Sequence, residues 1–165
     1  MVCIDPAPNS NVKKACKPMT VSMSGGQGAP VSVVKIDQKS SNKKTVFTIT
    51  IKHTKKNTMD EIYDLYSLDK CNPNFGIGNI VKTTDKNVVY VNSIILSKMD
   101  ITQYCSPNSG NMGKIMLDDA GNGYITCIAP LDFANQPGAY TAPLEIELWY
   151  GYSKSIYKTV NIKRI

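Results

Sequence analysis

Catalysis and metal binding need particular side chains, and this chain is sparing with several of them. Its 165 residues include one histidine, His53, one arginine, Arg164, and five cysteines, none in a Cys-x-x-Cys pair. A hydrolytic triad would have to run through His53. That residue stands between Lys52 and Thr54 at the end of a strand-like run, and no Gly-x-Ser-x-Gly elbow or cysteine-nucleophile signature accompanies it. The plainer reading is a surface or strand-end histidine. Zinc, haem and iron-sulfur sites need His and Cys at ligand spacing, which is missing here. Asp118, Asp119 and Asn122 beside Gly121 and Gly123 imitate a calcium loop. An EF-hand register would put Ala120 third and Ala129 twelfth, so a hairpin turn using Asn122-Gly123 for positive φ accounts for them better. Asp60, Glu61 and Asp64 are the candidate acidic cluster for glycoside hydrolysis. Capping and solvation of a short helix explain them equally well. Gly25, Gly26 and Gly28 precede a strand-like segment with no following Lys-Ser/Thr, which argues against a phosphate cradle. The chain therefore reads as non-enzymatic, with no cofactor and no metal.

Cysteine and tyrosine carry the remaining candidates. The cysteines lie in Gly-, Pro- and Asn-rich segments rather than apolar runs, which points to disulfides in an oxidising compartment. Cys3 and Cys16 flank a polar, proline-containing stretch with little else to order it. Cys105 and Cys127 bracket an expected hairpin, and Cys71 is left over. Other pairings stay open, and some of these cysteines would serve equally as small buried apolar residues. Nine tyrosines outnumber three phenylalanines and one tryptophan. Trp149, Tyr150, Tyr152 and Tyr157 are the candidates for an aromatic platform contacting glycan or protein, against the plainer alternative of core packing.

Lysine and arginine total 19 against 13 acidic residues, a formal charge of +6. With a single arginine, the bidentate fork that reads phosphates and bases is almost absent, so no specific nucleic-acid partner is expected. Lysine pairs such as Lys43-Lys44 and Lys55-Lys56 suit loops and strand edges, where they discourage unwanted pairing.

Strands must position these residues. Residues 1–29 are polar and rich in Pro, Ser, Asn and Gly, an extended arm or linker in which Met19, Val21 and Met23 alternate with polar neighbours as a strand-donor segment would. From residue 30 to 165 the pattern is β. Val31 to Asp37 and Thr45 to Thr54 form two strands, with Phe47, Ile49 and Ile51 on one face of the second and Val46, Thr48 and Thr50 on the other. Thr58 and Glu61 have capping-box spacing, and Ile62, Leu65 and Tyr66 then recur at helical intervals, which predicts a short helix over Met59 to Leu68. Lys86 to Ser97 returns to strand, and Lys114 to Leu117 pairs with Tyr124 to Ile128 across the Asp-Ala-Gly-Asn-Gly turn. Leu144, Ile146 and Leu148 alternate with Glu145, Glu147 and Trp149. After a turn at Gly151 to Lys154, Ile156 to Ile165 repeats the alternation, which predicts a long closing hairpin. Strands at this spacing with at most one short helix describe an all-β antiparallel sandwich. A chain of this length buries roughly 70% of its unfolded surface, enough for a core of its own. Nothing in it approaches ~18 consecutive apolar residues, so no spanning helix is expected. The opening residues lack a signal peptide's apolar stretch, so an export signal is expected upstream.

The run Val31 to Thr54 resembles the opening of immunoglobulin-like modules of archaeal and bacterial surface proteins. A closer likeness is carried by SGGQGAPVSVVKID, CSPNSG, GNGYITC and YTAPLEIELWYGYSKSIYKTVNIKRI. Over about residues 15 to 165 these resemble a family of uncharacterised, membrane-anchored surface proteins of small-genome archaea. The resemblance implies an immunoglobulin-like extracellular domain held to the membrane only by an anchor outside this chain. It transfers no activity and no residue role beyond disulfide cysteines. The expectation is a non-catalytic cell-surface protein, structural or adhesive, self-associating into a filament by strand addition. The alternative is a carbohydrate-binding module that takes a surface glycan on the aromatic hairpin.

Overall fold

The computed structural model describes residues 1–5, 14–23, 28–41, 44–54, 60–71, 81–107, 113–130, 138–154 and 158–161. Its strands in chain order are β1 (Val2–Ile4), β2 (Val21–Ser22), β3 (Val31–Ser40), β4 (Lys44–His53), β5 (Asp60–Tyr63), β6 (Val88–Leu96) and β7 (Met99–Asp100). They continue with β8 (Cys105–Ser106), β9 (Gly113–Met116), β10 (Asn122–Pro130), β11 (Tyr140–Ala142), β12 (Leu144–Trp149) and β13 (Gly151–Lys154). All pairings among them are antiparallel. No α-helix occurs among the described residues, only short 3₁₀ segments at Leu65–Cys71, Thr83–Asp85 and Thr102–Tyr104.

Two sheets make the body. One runs β2-β3-β4-β10-β8, the other β12-β6-β7 with β9 also on β6. The clean alternation of β4 decides its facing: Phe47, Ile49 and Ile51 are fully buried, and Val46, Thr48 and Thr50 are half-exposed on the outer side. These side chains meet Val89, Val91, Ile94, Ile125 and Cys127 in a single core cluster. Bulges adjust the parity of two strands. In β3 the register skips Val34, so the inward set changes from Val31 and Val33 to Ile36 and Gln38. In β6 the skip at Asn92 changes it from Val89 and Val91 to Ile94 and Leu96.

Several sequence expectations change. The helix expected over Met59 to Leu68 is instead β5 followed by the 3₁₀ segment, residues 55–59 lying outside the described residues. Pairing with β13 pulls Ile62 into the core at 1% exposure, whereas Tyr66, which the helical period would bury with it, is 64% exposed. Among the described residues the long closing hairpin is not seen either. β12 pairs with β6, the expected turn Gly151 to Lys154 is a strand on β5, and residues 158–161 are exposed and outside any strand.

The Lys114 to Leu117 and Tyr124 to Ile128 segments are strands that do not pair with each other. β9 joins β6 and β10 joins β4, so the turn between them carries the chain from one sheet to the other. Gly121 takes the positive φ (81°) expected of Asn122-Gly123, and Asp118 Oδ1 accepts the Ala120 and Asn122 N–H groups. Gly123 instead sits second in β10, close against side chains of its neighbours. A Cβ there would lie 2.8 Å from Ile115, 2.9 Å from Leu117 and 3.0 Å from Ile51. Gly123→Ala is therefore expected to cost about 1–3 kcal/mol by overpacking. A urea midpoint equal to that of the parent would contradict this close approach.

The arm belongs to the domain. β1 pairs with β11, burying Val2 and Ile4 to 2% and 3% exposure within the core cluster. β2 lies on the edge of β3, with Val21 opposite Ile36 and Met23 N–H donating to the Val34 carbonyl.

Candidate functional site

Among the described residues a dense polar grouping lies where β5, the 65–71 and 83–85 segments, β6 and β9 converge. The Asp64 backbone N–H donates to the Asp85 carbonyl (2.7 Å), and the Asn87 N–H to the Ile62 carbonyl (2.8 Å), which ties the loop after residue 81 to the end of β5. The carboxylate of Asp64 accepts the Tyr90 hydroxyl (2.8 Å), the Tyr66 N–H (3.0 Å) and the Lys114 ammonium (3.0 Å). Burial pushes the Asp64 carboxyl up, but these donors outweigh it and leave it below its ordinary value. Tyr90 answers in the other direction, its phenol pushed up to about 12 by burial and by the Asp64 charge. The Tyr66 ring stands edge-on to Tyr90 at 5.5 Å.

Asp85 accepts Lys70 Nζ (2.9 Å), Lys82 N–H (2.9 Å) and Ser67 Oγ (3.0 Å), and its carboxyl falls to about 2, Lys70 being the largest cause. Glu61 is held below its ordinary value first by Lys86 (2.6 Å) and then by the Tyr63 hydroxyl. Asp60 accepts the Tyr152 hydroxyl, raising that phenol beyond what burial alone does. The expected acidic trio is thus close in sequence but divided among separate partners. Each carboxylate with a lysine beside it stays ionised and acceptor-only, a poor general acid and a weakened base. Of this cluster, sequence reasoning missed Ser67, Lys70, Asp85, Lys86, Tyr90 and Lys114. The local signal was the Asp85-to-Lys82 N–H cap, three residues apart.

Linkage gives this cluster a pH signature. Asp85 has a folded pKa of about 2, below its unfolded value near ~4, so its stabilisation is complete above about pH 4 and disappears as pH falls through about 2. Melting temperatures of the parent and Asp85→Asn are expected to differ at pH 7 and to converge by about pH 2. A gap that stays constant over that range would show that the Asp85 charge does not matter.

The aromatic platform comes apart in the fold. Trp149 faces outward from β12 at 36% exposure, with its Nε1–H donating to Glu147 (3.0 Å). Tyr150 turns inward and packs on the core, Tyr152 is exposed on β13, and Tyr157 lies outside the described residues. His53 ends β4 as expected but is buried, at 3% exposure, rather than on the surface. Ile51, two residues earlier, shares its inward side, because strand side chains alternate. Among the described residues no group of three or more His, Cys, Asp or Glu is placed to hold a metal, and no helix is long and apolar enough to cross a membrane.

Cys3 is bridged to Cys16 and Cys105 to Cys127. Cys105 on β8 sits directly opposite Cys127 on β10, so cross-strand pairing brings these two together, without the β9–β10 hairpin expected to do so. Two such bridges suit a non-reducing environment. Around the Cys3–Cys16 bridge, Val2, Met19, Val21, Gln38 and Thr141 line an open, mostly apolar hollow of about 230 Å³. Of the donor-strand candidates, Val21 and Met23 pack against the core while Met19 is 65% exposed. Thr20 Oγ donates to Asp37 (2.6 Å), so residues 19–23 run along the edge of β3. No protein-family model, no curated protein and no solved structure matches this chain.

Proposed function

We propose that this chain is a non-catalytic, extracellular cell-surface protein with a structural or adhesive role, an immunoglobulin-like domain of an archaeal surface protein whose copies associate into a filament by strand addition. The observation that carries the reading is the state of its buried carboxylates. Asp5, Asp64 and Asp85 each have a lysine ammonium within 3.0 Å, so the grouping most like an active site is taken up in joining strands and loops. Disulfides across both the N-terminal region and the β8–β10 pair support service outside the cell. Strand addition is supported by sheets that end in short strands. Among the described residues β2 covers only part of the ten residues of β3, and β12 is a terminal strand. Negative-stain microscopy of the oxidised chain tests the proposal: filaments are expected, and uniformly single particles at high concentration would count against it.

A second reading, glycan binding, is favoured by the exposure of Trp149 and Tyr152. A glycan array on the parent and on Trp149→Ala separates it from the first. Signal lost in the variant would favour a glycan ligand.

A further inference from the structure

We propose that the hollow beside the Cys3–Cys16 bridge binds an aliphatic carboxylate, an alkyl chain of roughly eight to ten carbons whose head takes a hydrogen bond from Gln38 and faces Lys17. The site needs no second copy of the chain, so it stands or falls apart from self-association.

Three stretches of chain build the hollow. β1 brings Val2 and Cys3, held on β11 with Cys3 opposite Thr141. The bridge fastens Cys3 to Cys16, and the run after Cys16 leads into β2 along the edge of β3. There Val21 is opposite Ile36 and Thr20 donates to Asp37, so the same register carries Met19 to the level of Gln38. Gln38 thus has the segment before β2 as its strand neighbour and β1 at its Oε1, which accepts the Cys3 N–H (3.1 Å).

The lining says what chain would fit. Met1, Val2, Met19, Val21 and the bridge itself offer aliphatic and sulfur contacts, with no aromatic ring to stack on. A cavity of ~150 Å³ holds a benzene, so about 230 Å³ suits a straight chain of roughly eight to ten carbons. Met1 and Met19, 72% and 65% exposed, are unbranched and adaptable enough to fold over it.

Gln38 says what head group would fit. It is 8% exposed, and among the described residues its Nε2 is buried with no hydrogen-bond partner. Native structures seldom leave such a donor unmet. Turning the amide over gives no relief, because the Oε1 end is committed to the Cys3 N–H. The cross-strand neighbour Phe47 has no side-chain acceptor, so the hollow that Gln38 lines is the side from which one can arrive. Lys17 lines the same hollow, is exposed, and has no ion pair among the described residues. An amide donor and an ammonium beside an apolar wall select a carboxylate on an alkyl chain over an alcohol or an amine. Because the hollow is open, the head keeps water on its outer side and escapes the full cost of desolvation.

The test titrates octanoate into the full-length, ¹⁵N-labelled oxidised chain and follows ¹H–¹⁵N correlation spectra. Saturable shifts are expected at the Gln38 side-chain amide, Cys3, Val21 and Thr141, with a dissociation constant at or below about 1 mM. No saturable shift, or saturation confined to residues elsewhere, overturns the site. Octanol, which keeps the chain and drops the charge, should bind about fivefold or more weakly than octanoate. Lys17→Gln, a change at an exposed side chain, should lower octanoate affinity about threefold and leave octanol unaffected. Gln38→Leu should lower octanoate affinity about tenfold. That variant also leaves the Cys3 N–H without its acceptor, so its melting temperature is read alongside, and the Lys17→Gln and octanol arms decide the matter if it does not fold. Equal affinities for octanoate and octanol, with no effect of Lys17→Gln, would overturn the carboxylate assignment.

Discussion

Phe47→Ala is expected to destabilise the fold by about 3–5 kcal/mol, because the ring fills a space that cannot close behind it. Phe47 is 0% exposed on β4, the strand between β3 and β10, with Gln38 opposite on one side and Cys127 on the other. Both neighbours are constrained. Gln38 Oε1 accepts the Cys3 N–H (3.1 Å), and Cys127 is bridged to Cys105, so neither can move inward without breaking a contact of its own. Domains are usually stable by only about 5–15 kcal/mol, so the variant should be near unfolding at ordinary temperature. Val46→Ala, on the opposite face of the same strand, should change stability by less than about 0.5 kcal/mol. Urea curves for both variants decide the matter. A larger loss for Val46→Ala than for Phe47→Ala would mean that the two faces of β4 have been exchanged, and equal losses would contradict the burial of one face only.

Removing the central bridge by changing both Cys105 and Cys127 to Ala should cost about 3 kcal/mol, from the chain entropy recovered by an unfolded loop of this length. The cysteines are 22 residues apart, and the bridge fastens β8, a two-residue strand with little else to hold it, to β10. Thermal melts of oxidised parent and variant should differ, and most of that difference should vanish when both proteins are reduced, which opens Cys3–Cys16 in each alike. Free Cys105 and Cys127 thiols in a non-reducing peptide map of the native protein would refute the bridge.

How much was legible in advance follows from how local each signal is. β4 could be read residue by residue because one face is buried along its whole length, so hydrophobicity follows the pleat. β3 and β6 were recognisable as strands, but their bulges at Val34 and Asn92 switch the inward face partway and hide the alternation. Pairing was less legible. The alternation of Leu144 to Trp149 declares a strand without naming its partner, and the partner is β6, about fifty residues earlier in the chain, where a hairpin would have used the next segment. The helical spacing of Ile62, Leu65 and Tyr66 was overridden by the pairing of β5 with β13. The carboxylate–lysine cluster was least legible, since Asp64 meets Tyr90 and Lys114 across sequence separations of 26 and 50. No spacing rule reaches so far.

The central claim, that this chain is a self-associating structural unit, is tested most directly by sedimentation velocity of the oxidised protein across a wide concentration range. The account predicts species that grow with concentration beyond the 18.1 kDa of a single chain. A single boundary at that mass, unchanged at every concentration, would contradict it.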